Sequence, residues 1–220
     1  MSTELRTSAF PHYLVERFQN WRRAKWEDSR AWYARLMEDG QRPRAMLISC
    51  CDSRLDTVSM FGAEPGDLFV VRNVANLVPK HSPDHGHHGT SAAVEYAVKS
   101  LRVAHIVVVG HSSCGGVKAC HDIMCSDDHG EAPSTSYVEH WMEILKPGFN
   151  RINGLHDNQT AALKELEHEA VRTSIRNLQS FPFVTEALDS GVLTLHGAWI
   201  DIGGGDMHVL DGETGKFNKT

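Results

Sequence analysis

The chain has 220 residues, enough to bury one covered α/β core. Its net charge of -6, with no basic stripe, excludes nucleic acid as the main partner, and no apolar run approaches the ~20 residues of a membrane span. Five cysteines in a chain of this size do not make a disulfide framework, and the first ten residues lack a secretory apolar stretch, so a cytoplasmic protein is expected.

Residues 10 to 38 read as helical. Phe10, Leu14, Phe18 and Trp21 fall at steps of four, four and three, and the pairs Trp32/Leu36 and Tyr33/Met37 repeat the step of four. Asp39–Gly40 is a helix stop. Periodicity leaves open whether this aromatic stripe packs on the chain's own body or embraces another subunit. Ala45 to Ser49 is a strand of the apolar kind that suits a parallel sheet covered on both faces. A short helix over Asp56 to Gly62 follows, then a Pro65–Gly66 turn and a strand from Asp67 to Val71.

The polar stretch 80–90 reads as a solvated loop in which His85, His87 and His88 are incidental, although a second metal site is the competing reading. A helix over 90–101 leads back to a third strand, His105 to Gly110, which completes a βαβ rhythm. Beyond it come a helix from Val117 to Met124, a loop over 126–136, and a helix from Tyr137 to Leu145 ended by Pro147–Gly148. A long helix from Gln159 to Leu178 carries the apolar set Leu163, Leu166, Ala170, Ile175 and Leu178. Val192 to Ile200 is a strand, Gly203–Asp206 a turn, and Met207 to Leu210 an antiparallel edge strand. The expected fold is α/β: a mostly parallel central sheet with an antiparallel edge strand and helices on both faces. It forms a single domain over 1–220, with 1–40 an N-terminal helical arm and 41–220 the core.

Two of these strands end in chemistry. Cys50–Cys51–Asp52–Ser53–Arg54 follows the first, and His111–Ser112–Ser113–Cys114 follows the third. Groups just past the carboxyl ends of neighbouring parallel strands converge in one crevice. Cys50, His111 and Cys114 are then a zinc-type ligand set, and three protein ligands leave a fourth position for water, as in catalytic rather than structural zinc sites. Gly115–Gly116 permits close backbone approach, and a helix starting there favours the Cys114 thiolate. Asp52 and Arg54 lie two apart, so a guanidinium can hold the carboxylate ionised beside the bound water. Cys51 alternates away from Cys50 and reads as a buried bystander, while Cys120 and Cys125 read as packed or free thiols.

At these residues the sequence resembles a β-class carbonic anhydrase. The resemblance covers nearly the whole chain: Cys50–x–Asp52–Ser53–Arg54, Phe69 through Asn76, Gly89–Thr90 through Glu95–Tyr96–Ala97, and Gly110 through Gly116, in order. It implies one zinc per chain on Cys50, His111 and Cys114, an Asp52–Arg54 dyad, and reversible hydration of carbon dioxide to bicarbonate and a proton by a zinc-bound hydroxide. It also implies a homodimer or a dimer of dimers. The plant-like branch lines its substrate pocket with residues that match Gln41, Phe69, Val74, Tyr96 and Gly115 here, part of them from the partner subunit. An apolar wall of Phe69, Val74 and Tyr96 suits a substrate without net dipole, and the Gln41 amide suits one of its oxygens. Another branch closes its zinc with the motif's own Asp and binds bicarbonate beside a Trp and a Tyr. This chain has Leu47 and Ile200 at those positions, although Arg72 is common to both branches, so the open form is expected. Where some plant enzymes carry a shuttle His, this chain has Ser100. The competing functions are hydrolysis of carbonyl sulfide or carbon disulfide at the same zinc, and a zinc-binding sensor or scaffold that no longer catalyses.

Overall fold

The computed structural model describes residues 5, 7–84, 86–126, 136–156 and 158–220. The chain divides into two compact units, Met1–Gln41 and Arg42–Thr220.

The first unit is helical. Helix α1 (His12–Trp21) runs through one wider, π-type turn at Arg22–Trp26 into α2 (Glu27–Asp39), so the expected helix is present with a local change of pitch. Gly40, at φ 70°, ends it in a backbone region open to glycine. Within the unit Trp21 meets Phe18 and, edge-on, Tyr33. Phe10, Tyr13, Phe18 and Met37 remain well exposed, and no described residue of either helix is buried.

The second unit is built on a sheet of six described strands. These are β1 (Ala45–Cys50), β2 (Leu68–Asn73), β3 (His105–His111), β4 (Thr194–Asp201), β5 (Asp206–Leu210) and β6 (Phe217–Lys219), ordered β2-β1-β3-β4-β5-β6. The first four are parallel, and β5 and β6 run antiparallel. Strand β5 is therefore not the edge that the sequence suggested. Asp211 Oδ1 accepts from the N–H groups of Glu213 and Thr214, and with Gly215 at φ 70° this turn folds a further short strand back outside β5.

Alternation along the strands sorts the core into two clusters. Leu47, Val109, Met142, Leu145 and Leu166 lie in one, with Leu68, Val70 and Val107 packed against it. Met46, Ile48, Ile106, Val108 and Val184 lie in the other, with Phe69 and Val71 against it. Helix α3 (Thr57–Met60) starts at Asp56, whose side chain accepts from Ser59 N–H. Helix α4 (Gly89–Glu95) continues through a π-type stretch to Leu101 and stops at Arg102 in the left-handed region. Helix α5 (Gly115–Cys125) follows β3 directly.

Helix α6 (Tyr137–Met142) is extended by a 3-10 turn to Leu145, and α7 (Lys146–Ile152) begins where the sequence suggested a stop. Proline lacks an N–H that the first helical turn has no acceptor for, so Pro147 opens α7 instead of closing α6. Gly148 there packs so closely that a Cβ would sit 3.1 Å from both Leu145 and Thr173 atoms. Helix α8 (Gln159–Leu178), capped by Asn158 on Ala161 N–H, spans the expected residues. Helix α9 (Pro182–Asp189), which the sequence reading did not contain, precedes β4 and again starts on a proline. Most of the loop expected over 126–136, and His85, lie outside the described residues.

Candidate active site

Strands β1 and β3 are direct neighbours, which puts their carboxyl ends side by side. Cys50 closes β1 and His111 closes β3, while Cys114 sits one tight turn later at the start of α5. Ser113 takes φ 57° to make that turn. The Cys50 and Cys114 sulfurs are 3.8 Å apart, and these two atoms and a ring nitrogen of His111 all lie within 4.8 Å of one another. All three residues are buried.

The donors themselves say what fits. Two sulfurs bound at ~2.3 Å to one tetrahedral ion stand roughly 3.8 Å apart, which is the spacing found. His111 Nδ1 lies 2.9 Å from the Ser112 carbonyl. A carbonyl only accepts, so Nδ1 is the donor and Nε2 presents its lone pair. That Nε2 is buried and has no hydrogen-bond partner among protein atoms. The sulfurs also compete for ionisation. The hydrogen bond from Cys114 holds the Cys50 thiol far below its ordinary value against the effect of burial, while the Cys50 partner and burial drive Cys114 far up. A dication is what lets both sulfurs ionise together.

Asp52 stands at the mouth of this cluster. Arg54 holds it bidentately, Nε to Oδ1 at 2.9 Å and Nη2 to Oδ2 at 2.7 Å, and the Arg54 N–H adds a bond of 3.0 Å. Those bonds keep the Asp52 carboxyl well below the usual carboxylate range, with burial opposing weakly. Oδ2 lies 4.0 Å from His111 Nε2, next to the cluster but outside the ligand group. Arg72 braces the same loop, donating to the carbonyls of Cys50, Asp52 and Leu55 at 3.0, 2.8 and 2.7 Å.

Of the substrate-pocket candidates, Gly115 follows Cys114, and Val74 lies against Gly116, where a Cβ would come within 2.6 Å of Val74 Cγ1. Phe69 and Tyr96 pair with each other, ring centroids 5.9 Å apart, but Phe69 packs with the other core cluster. Its register is with Met46, four residues below Cys50, or roughly 13 Å down the strand. One chain's metal cluster therefore does not gather Phe69 and Tyr96. Gln41 is exposed and closes the first unit.

Cys51 corrects the sequence reading. It is exposed, because β1 ends at Cys50 and the alternation that would bury it ends there too. Cys120 is buried and Cys125 exposed, and all five cysteines are free thiols. In the polar loop His88 Nε2 lies 2.6 Å from Asp84 Oδ1, and His87 is exposed. Among the described residues, Cys50, His111 and Cys114 are the group of three or more that can hold a metal ion.

Two residues that the sequence reading passed over meet the site. Glu167, on α8, accepts from Cys114 N–H at 3.1 Å, and Trp199, on β4, donates to Glu167 at 3.0 Å. The available signal was an acid four residues after Leu163, on the helix's apolar stripe.

The family model described as carbonic anhydrase matches residues 45–207. The chain belongs to the β-class carbonic anhydrases. It is 38% identical over 179 residues to a carbonic anhydrase of Pseudomonas aeruginosa, covering 80% of this chain and 77% of that one. It is 33% identical over 188 residues to β carbonic anhydrase 5, chloroplastic, of Arabidopsis thaliana, covering 84% of this chain and 60% of the relative. The solved β-carbonic anhydrase CcaA superposes with a TM-score of 0.83 at 30% identity, over 94% of this chain and 91% of that one. Tetrameric β-carbonic anhydrases of Sordaria macrospora superpose at 0.76 and 30% identity, over 90% of this chain and 95% of the neighbour. As a β-carbonic anhydrase the protein is an enzyme of reversible carbon dioxide hydration, and the Cys50–His111–Cys114 cluster fits the metal site that this chemistry requires.

Proposed function

We propose that the metal is one zinc ion per chain, held by Cys50, His111 and Cys114, and that Asp52 and Arg54 are its catalytic dyad. The observation that carries this reading is the sulfur spacing beside a buried, unpartnered imidazole nitrogen. Zinc supplies Lewis acidity that lets a water give up its proton near neutral pH. Asp52 is held ionised by Arg54, so its carboxylate can only accept; it takes a hydrogen bond from the nucleophilic water and turns that water's lone pair toward carbon dioxide. Arg54 cannot release its proton to the substrate, and it ties the dyad to the ligand turn by donating to the Ser113 carbonyl at 3.0 Å. Because Arg54 occupies both Asp52 oxygens, the open form is favoured over one in which this carboxylate becomes a ligand.

Substrate binding in this reading needs two chains. Val74 and Gly115 belong to the chain that holds the ion, while Phe69 and Tyr96 of a second copy supply the rest of the apolar wall, with the Gln41 amide as donor to a substrate oxygen. The separation of Phe69 and Tyr96 from the cluster, the half-exposure of Tyr96, and the exposed aromatic residues of the N-terminal unit support a homodimer. The tetrameric Sordaria neighbours support further pairing. Cytoplasmic residence is supported by the five free thiols, and no described helix is long and apolar enough to cross a membrane.

The test is zinc content and carbon dioxide hydration measured on one purified sample. One zinc per chain with turnover is expected, and Cys50→Ser or His111→Ala should lose both. Full zinc occupancy in either variant removes that residue from the ligand set.

A further inference from the structure

We propose that Glu167 is a positioning residue of the metal centre, which with Arg54 clamps the Ser113–Cys114 peptide group and thereby aims the Cys114 sulfur. The two contacts fall on opposite ends of a single peptide plane. Its carbonyl, on Ser113, accepts from Arg54 Nη2 at 3.0 Å. Its N–H, on Cys114, donates to Glu167 Oε1 at 3.1 Å. A planar peptide held at both poles has its orientation fixed, which pins ψ of Ser113 and φ of Cys114, the angles that set the direction in which the Cys114 side chain leaves the turn.

The turn needs such a hold. Ser113 occupies the left-handed region, which a non-glycine residue adopts at a free-energy penalty unless its surroundings fix it. The Cys114 N–H, just before α5, has the Glu167 carboxylate as its partner. The carboxylate is fixed in turn: Trp199 Nε1 donates to Oε2 at 3.0 Å, and Trp199 and Glu167 are only 3% and 5% exposed. An acid so deep in an apolar stripe is unfavourable unless hydrogen bonds compensate it, and both its oxygens face N–H donors here. An apolar side chain would fill the same space with less penalty if packing were the only demand. Groups that orient metal ligands in this way typically change metal affinity 10- to 100-fold when altered.

This inference rests on the zinc reading of the site, and the experiment separates the two. Zinc affinity is measured by chelator competition on the full chain, beside the thiolate-to-metal absorption of the cobalt-loaded protein and the melting of the metal-free protein. In Glu167→Gln the amide has one acceptor oxygen for two N–H donors, so its NH2 group must face one of them. Zinc affinity is expected to fall roughly 10- to 100-fold, with an altered cobalt–thiolate band. Adding Trp199→Phe removes the competing donor, frees the amide oxygen for Cys114 N–H and should restore most of the affinity. Should Glu167→Gln fail to fold, Glu167→Asp keeps the charge but withdraws it by one methylene, and the same fall is expected. Wild-type affinity in the folded variant, or a lower melting point of the metal-free protein with affinity unchanged, overturns the proposal and leaves the zinc reading intact. A wild-type protein that takes up no zinc overturns both.

Discussion

Asp52 is the residue on which turnover is expected to depend most, and its role separates from metal binding. Asp52→Asn keeps the shape and one acceptor oxygen but gives up the charge, so zinc content should stay at wild-type level while hydration falls roughly 10²-fold or more. An unchanged rate would make the dyad decorative. The same residue constrains the pH dependence. Arg54 holds the Asp52 carboxyl well below its ordinary value, so it is ionised throughout the range from pH 5 to 9 and no rate limb there belongs to it. In the zinc reading, the limb would belong to the water that the ion acidifies. The best-known zinc-water pKa, about 7, is itself that of a carbonic anhydrase, but one with three histidine ligands. Two thiolates donate more charge than two imidazoles, so activity should rise on the alkaline side of neutrality. A stopped-flow profile already flat by pH 6.5 would contradict this. The Cys50–His111–Cys114 cluster and the Asp52–Arg54 pair were legible in the sequence because each follows a strand within a few residues. Glu167 was not, and neither were the contacts of Arg72 to the Cys50 loop, because these two reach the site from 53 and 22 positions away in the chain.

Between elements, the tightest constraint is where α5 leaves the ligand turn. At Gly116 a Cβ would stand 2.6 Å from Val74 Cγ1 and 3.2 Å from Ala75 Cβ, so the Val74 side chain must shift and Ala75 must give way. Ala75 has no slack, since it is fully buried at φ 61°. Gly116→Ala is therefore expected to destabilise the fold by about 1–3 kcal/mol, read as a lower melting temperature. It should also weaken zinc binding, since the helix that presents Cys114 must shift. A melting point within error of wild type would show that the contact relaxes freely. At this scale the sequence was legible where hydrophobic period dominated, as in β1, β3 and α8. It misled where one residue type serves two purposes. Pro147 reads equally as the end of one helix or the first turn of the next, and only the packing of Gly148 against α8 residue Thr173 selects the second.

For the whole molecule, the N-terminal unit contributes no buried residue among those described, whereas both core clusters lie entirely within Arg42–Thr220. A chain lacking residues 1–40, which keeps Gln41, should therefore still fold, losing by circular dichroism only the helix of His12–Asp39. If the exposed aromatics serve assembly, sedimentation should show a smaller species, and hydration should fall because Phe69 and Tyr96 no longer meet a partner's zinc. A truncated chain with native mass and rate would exclude that use of the arm. In the proposed dimer, the wall that Phe69 and Tyr96 of one copy present to the other's metal cluster would also set access for carbonyl sulfide or carbon disulfide. Comparing turnover on the three gases distinguishes those substrates.

The amino-acid sequence by itself determined the sheet's parallel half, the candidate metal cluster and the Asp52–Arg54 pair, since all of these follow from local pattern: apolar runs, turn residues and short spacings. What only the tertiary structure decided is which distant groups close on them. It placed the sixth strand outside β5, exposed Cys51, set Glu167 and Arg72 against the ligand loops, and carried Phe69 to the far core cluster. Those outcomes depend on register and on packing between elements far apart in the chain, and hydrophobic period fixes which face a residue takes without fixing what meets it there.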